Sequence, residues 1–148
     1  MKKFTRQTSG NAPTADVNLN FGSAAAKVPR LFEPGEYRLR IGSARVIQKN
    51  QNVSVVLDLI EMESGSRVDS RPLWVDGPNA GAGPLAEENK NLVRQLLTLR
   101  GLETAGNVGL LIPQLAGLEF GARLVLAIDS RTGRTYNALA DIYADDGP

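Results

Sequence analysis

The sequence contains no cysteine and no histidine, and both absences limit its chemistry. Without cysteine there is neither a disulfide framework nor a thiolate metal site. Without histidine the commonest general base is missing, together with most zinc chemistry. Catalysis would fall to Asp, Glu, Ser, Thr, Lys or Tyr, and no catalytic signature brings such residues together. We therefore predict that the protein is not an enzyme and that it uses no metal and no cofactor.

Long apolar runs are also missing. No stretch approaches the roughly 18–20 residues that a membrane span needs, and the lysine pair at the start is not followed by the apolar core of a signal peptide. Hydrophobic residues make up 42% and charged residues 22% of the chain, which is ordinary for a soluble globular protein. We expect a cytoplasmic protein without a membrane partner.

Charge divides the 148 residues into three parts. Residues 1–31 are rich in small and polar residues, and Asp16 is the only acidic residue among several basic ones. We therefore predict a flexible basic arm. Residues 32–143 have the patterning of a folded domain. Residues 144–148 form a short acidic tail. The net charge of +1 does not itself indicate nucleic-acid binding, so a binding face must come from local clustering.

The clearest strand pattern begins at Glu36. Leu39 and Ile41 alternate with Arg38 and Arg40, and alternation with period two is typical of a strand that buries one face. The phase slips at Gly42, because the apolar set then continues one residue late. A glycine at such a slip predicts a β-bulge, which coils a strand and favours closure into a barrel.

The rest of the chain predicts four more strands and one main helix. Strands are expected at 53–62 and at about 67–75, where Pro72 favours an edge position. A glycine-rich loop at 76–84 precedes a helix at about 85–100, and residues 102–119 form an irregular connection with a short helix near 113–118. Two strands then form a hairpin across 120–143.

This order, β-β-β-α-β-β, predicts a mainly β fold with one helix, in the α+β class. We expect a five-stranded OB-like barrel with the helix between strands three and four; a small β-sandwich with a helix is the rival. The predicted core consists of Leu39, Ile41, Val55, Leu57, Leu96, Leu124 and Leu126.

An OB-fold binds single strands across strands two and three, flanked by the loops joining strands 1–2 and 4–5. Basic side chains and aromatic rings fall on the third strand and on these two loops, and further arginines lie on the first strand. Guanidinium and ammonium groups follow phosphates, and an aromatic face accepts any base. The predicted nucleic-acid-binding residues are Arg38, Arg40, Lys49, Arg67, Arg71, Trp74, Arg131, Arg134 and Tyr136. Whether Trp74 stacks on a base or fills the core stays open.

Other sites are rejected. Asp58, Glu61 and Glu63 could bind Mg²⁺ in principle, but solvated residues on one strand and its end explain them better. The loop at 77–90 has the glycines of a phosphate-binding loop without its Gly-Lys-Ser/Thr ending.

Several short segments resemble a phage and prophage family catalogued as a domain of unknown function and often encoded beside recombination and replication genes. They are Pro34-Gly35-Glu36-Tyr37, Leu73-Trp74-Val75, Asn91 to Leu97, and 118–143 with Arg134-Thr135-Tyr136-Asn137. The resemblance implies an OB-like single-stranded-DNA-binding protein in a bacterial host cell, with replication or recombination proteins as partners and homo-oligomers as an option. The alternative is a non-enzymatic structural or assembly protein with a β-barrel body.

Overall fold

A computed structural model gives the fold of residues 28–77 and 84–144. Most of the predicted basic arm, of the predicted 76–84 loop and of the acidic tail lies outside these described residues. Where the predicted arm meets the described part, Arg30 forms a parallel bridge with Val68.

The described residues form five strands, one α-helix and one short 3-10 helix, in the predicted order β-β-β-α-β-β. The strands are β1 (Gly35–Lys49), β2 (Asn52–Glu61), β3 (Leu73–Asp76), β4 (Glu119–Ile128) and β5 (Thr135–Ala144). The helix α1 spans Pro84–Arg100, and the 3-10 helix spans Gly109–Leu115. The predicted α-helix is thus confirmed to within one residue. The short helix lies a few residues earlier than predicted.

The five strands form one antiparallel sheet in the order β3-β2-β1-β4-β5. Because every neighbouring pair is antiparallel, the two edge strands β3 and β5 run in the same direction. Closure into a barrel would require these edges to pair. The described residues form one backbone hydrogen bond between β5 and the segment that precedes β3. In it, Asn137 N–H donates to Asp69 O at 2.7 Å. The sheet is open, and the predicted barrel is not confirmed.

The predicted bulge in β1 is confirmed. The pairing between β1 and β2 shifts between Ile41 and Ser43, so that Gly42 is the extra residue. Leu39 and Ile41 are buried before the bulge, and Ala44 is buried after it. The bulge therefore moves the inward-facing positions of β1 from odd to even residue numbers.

The third strand is shorter than predicted. Arg67 and Val68 form only isolated bridges, and a regular strand begins at Leu73. Pro72 immediately before it has no N–H to donate to a ladder. Arg30 pairs with Val68 on the side of this segment that faces away from β2.

The core lies between the inner face of the sheet and the two helices. The helix α1 packs against β3 and β5, and the 3-10 helix packs against β1. On α1 the apolar stripe centres on Leu96 and Leu97, which are fully buried. The helix ends where Gly101 takes a left-handed φ of 77° and Leu102 N–H donates to Leu97 O.

Six of the seven predicted core residues are buried, and the prediction for Leu126 is wrong, because it is 43% exposed. The reason is the length of the neighbouring strand. Leu124 on β4 pairs with Gly35, the first residue of β1. The residues of β4 that follow Leu124, including Leu126, therefore have no β1 residue beside them. Alternation identifies the face of Leu126 but does not show where the neighbouring strand ends.

Two glycines with left-handed backbone conformations provide a matched test of the β1–β2 turn. A Cβ on Gly77 (φ 91°) would overlap the backbone of Gln51, whereas a Cβ on Gly65 (φ 73°) would meet open space. We expect Gly65→Ala to lower the free energy of unfolding by about 1 kcal/mol from backbone strain alone. Gly77→Ala should cost about 1–3 kcal/mol more, because backbone atoms must also move. Urea unfolding of both variants tests this, and equal losses would contradict the close approach.

Candidate nucleic-acid interface

The outer face of the sheet carries most of the predicted basic residues. Arg38 and Arg40 alternate with buried Leu39 and Ile41, so they point away from the core. Beyond the bulge the outward positions become odd-numbered, which brings Arg45 and Lys49 onto the same face. Arg45 lies opposite Val56, and Lys49 lies opposite Asn52. One face of one long strand thus holds four cations.

Trp74 lies on this outer face as well. Directly opposed residues of an antiparallel pair share a face, and the register aligns Ile47, Ser54 and Trp74 across β1, β2 and β3. Ser54, in the middle of this row, is 2% exposed, whereas Trp74 is half-buried and is not part of the hydrophobic core. Because strands lie about 4.8 Å apart, the row places Trp74 roughly 10 Å from β1, between the levels of Arg45 and Lys49.

The acidic residues on this face are Glu36, Asp58, Glu119 and Asp141, and side chains hydrogen-bond to the first two. The Nε of Arg67 donates to Asp58 at 2.8 Å. Glu36, at the start of β1, accepts a short hydrogen bond from the Tyr143 hydroxyl, and this bond raises the pKa of Tyr143 to about 12. Glu119 lies opposite Arg40 at the β4 side. Among the described residues, Arg45 and Lys49 form no ion pair.

Sequence reasoning missed Arg45. The slip at Gly42 carries the necessary signal, because it reverses which residues of β1 face outward. Once Ala44 and Val46 are assigned to the inner face, Arg45 must share the face of Arg38. We define the outer face by its basic residues and its ring: Arg38, Arg40, Arg45, Lys49, Arg67 and Trp74.

The other predicted residues lie around a different feature, a groove of about 880 Å³ between the edges of β3 and β5. Arg71, Arg131 and Tyr136 line it, and Trp74 lies where the groove meets the outer face.

The apolar lining of the groove includes Leu57, Leu59, Leu73, Leu92 and Leu139. Its charged lining consists of Glu88, Asp129 and Asp141 against Arg71 and Arg131. The groove therefore carries an excess of carboxylates.

The arginines beside the groove are held by acidic neighbours. Arg71 donates to Asp69 at 3.0 Å, lies 3.7 Å from an Asp129 oxygen, and stacks over the Tyr136 ring at 5.2 Å. Arg134 lies 3.8 Å from the other Asp69 oxygen. These contacts fix the β4–β5 loop against the chain that enters β3. They also offset the positive charge that the sequence places there.

The two loops that the OB-fold prediction assigns to the binding site lie at opposite ends of the segment 69–77. The β4–β5 loop meets its start, where Asp129 faces Arg71. The turn between β1 and β2 meets its end, where Gly77 approaches Gln51. A ligand touching both would have to run along β3, over at most about 27 Å of extended chain.

Comparison with known proteins adds no family assignment. No protein-family model matches the sequence, and a search of curated proteins finds no significant relative. The resemblance to the phage family therefore stays a prediction. Within residues 28–77 and 84–144, no helix has both the length and the hydropathy needed to cross a membrane.

The carboxylate of Asp129 organises the β4–β5 loop. It accepts hydrogen bonds from the backbone N–H of Arg131 at 2.9 Å and of Thr132 at 3.4 Å. The hydrogen bond from Arg131 is the main reason that the pKa of Asp129 lies below its ordinary value, and the charges of Arg131 and Arg71 contribute. Because the pKa of Asp129 is lower in the folded protein, its charged carboxylate stabilises the loop at pH values above the ordinary aspartate pKa.

That stabilisation should be lost as the pH falls through the lowered pKa of Asp129. An NMR titration should show the amide signals of Arg131 and Thr132 moving with a midpoint below that of the same aspartate in a short loop peptide. In Asp129→Asn these amides should no longer follow that titration. A midpoint at or above the peptide value would contradict the assigned hydrogen bonds.

Proposed function

We propose that the protein binds single-stranded DNA, largely without sequence preference, through the outer face, and that it serves phage or prophage DNA replication or recombination. The observation that carries the proposal is the placement of four cations on one face of β1, with Trp74 two strands away. Single-strand-binding surfaces combine phosphate-contacting cations with an aromatic platform.

The topology supports the same proposal. An OB-fold is a partly open five-stranded barrel that binds oligonucleotides across strands two and three. This chain has the corresponding strand order, a bulged first strand, and a helix between β3 and β4. We propose that the open sheet is an OB-like barrel whose β3 and β5 edges remain apart. The phage resemblance supplies the biological setting.

The cations of the outer face should act through phosphates. Arg45→Ala and Lys49→Ala should each weaken binding of a labelled oligo-dT, and about equally for other sequences, because a phosphate contact carries no sequence information. Each lost contact should flatten the slope of log affinity against log salt by about 0.7. Fluorescence anisotropy at several salt concentrations measures both effects.

Arg94→Ala is the matched control, since Arg94 is exposed on α1 away from the outer face. It should bind as the wild type does. If Arg94→Ala weakens binding as much as Arg45→Ala, the charge effect is general and the outer face is not the site. If the wild type binds oligo-dT no better than duplex at low salt, the structural or assembly alternative takes the place of this proposal.

Trp74 should contribute by stacking on bases. Trp74→Ala should weaken oligo-dT binding by about 1–3 kcal/mol and leave the salt slope unchanged. Trp74→Phe retains a ring and should recover much of the affinity. A thermal melt of each variant separates loss of binding from loss of fold. A folded Trp74→Ala protein with wild-type affinity would exclude the stacking role.

A further inference from the structure

The groove between β3 and β5 differs in kind from the outer face. It is bounded by two strand edges that run in parallel, and α1 lies across it. At one end, Asn137 N–H is bonded to Asp69 O. Among the described residues no ladder continues from this bond toward Leu139 and Trp74. The groove is thus the part of the gap between β3 and β5 that lies beyond this hydrogen bond, where the two strands do not pair.

The two edges are not equally available for further pairing. On the β3 side, Pro72 has no N–H, and Trp74 O already accepts a hydrogen bond from Asn89 at 2.8 Å. On the β5 side, the N–H of Asn137 points across the groove toward Asp69. Since backbone groups alternate along a strand, the N–H and C=O of Leu139 point the same way. Leu139 of β5, just before the register shift at Ala140, is therefore the position that can pair with another strand.

The floor of the groove is apolar and its charge is wrong for a polyanion. Leu73, Leu92 and Leu139 are partly exposed and provide surface for apolar side chains, above the buried Leu57 and Leu59. Of the two lining arginines, Arg71 is held by Asp69 and Asp129, which leaves Arg131 against Glu88 and Asp141. Asp141 also lies opposite Arg123 across the β4–β5 ladder. Glu88 is exposed on α1 and forms no ion pair with any described residue. A phosphate backbone would meet net repulsion here, whereas a lysine or arginine side chain would be attracted.

We propose that the groove binds an extended peptide of a partner protein by strand addition to β5. The peptide's backbone pairs with Leu139, its alternate apolar side chains lie on the leucine floor, and a basic side chain reaches Glu88. Strand addition gives affinity through the main chain and specificity through alternate side chains. The inference does not depend on DNA binding, because it concerns a different surface.

The test selects ligands from a random dodecapeptide display library on the full-length protein, with counter-selection on the Glu88→Lys variant. Enriched sequences should alternate apolar and polar residues and contain Lys or Arg. A labelled synthetic copy should bind with an affinity that falls at least tenfold in Glu88→Lys. The control variant Glu103→Lys makes the same charge change at an exposed site that does not line the groove, and it should bind as the wild type does.

Backbone pairing has its own measurement. N-methylation of alternate peptide amides should abolish binding for one parity and spare the other, because only every second amide faces β5. Failure to enrich peptides, loss of binding in Glu103→Lys equal to that in Glu88→Lys, or indifference to N-methylation would overturn the proposal. Displacement of the peptide by oligo-dT would also overturn it, since the groove would then belong to the nucleic acid.

Discussion

Asn137 joins parts of the sheet that strand pairing leaves apart. Its amide is 1% exposed, and a buried amide is tolerated only when its polar atoms are paired. The side-chain oxygen accepts from Phe32 N–H at 2.8 Å, and the side-chain nitrogen donates to Phe32 O at 2.9 Å. Its backbone N–H donates to Asp69 O. The chain before β1 and the chain before β3 are thereby both fixed to β5.

The groove follows from this arrangement. One end of the gap between β3 and β5 is held by Asn137, and the other end is occupied by side chains of α1. The helix contributes Leu92 to the floor and Asn89 to the β3 edge, so it lines the opening without closing it. On the β3 side of the opening, Asn89 satisfies the backbone oxygen of Trp74.

The bulge at Gly42 determines the charge of the other surface. A shift of one residue exchanges the two faces of a strand. Without it, Arg45 would point toward the core and Ala44 toward solvent. With it, the cations before and after the bulge share one face, while the carboxylates of Asp69 and Asp129 are used to hold Arg71 and Arg134 beside the groove. The fold separates a basic face from an acidic groove, although the chain as a whole is nearly neutral.

Periodicity by itself determined the order of the elements, the bounds of α1, the bulge and most of the core, because each depends on residues close in sequence. Leu39 and Ile41 needed only their alternation, and Leu96 needed only its place on a helical stripe. Three features depended on tertiary structure. The exposure of Leu126 depends on where β1 begins, the bridge of Arg30 to Val68 joins two distant segments, and the pairing of Arg71 depends on the β4–β5 loop. Each is set by contacts between residues far apart in the chain, which no local pattern records. For the same reason, the sequence did not predict that the basic residues would divide between the outer face and the groove.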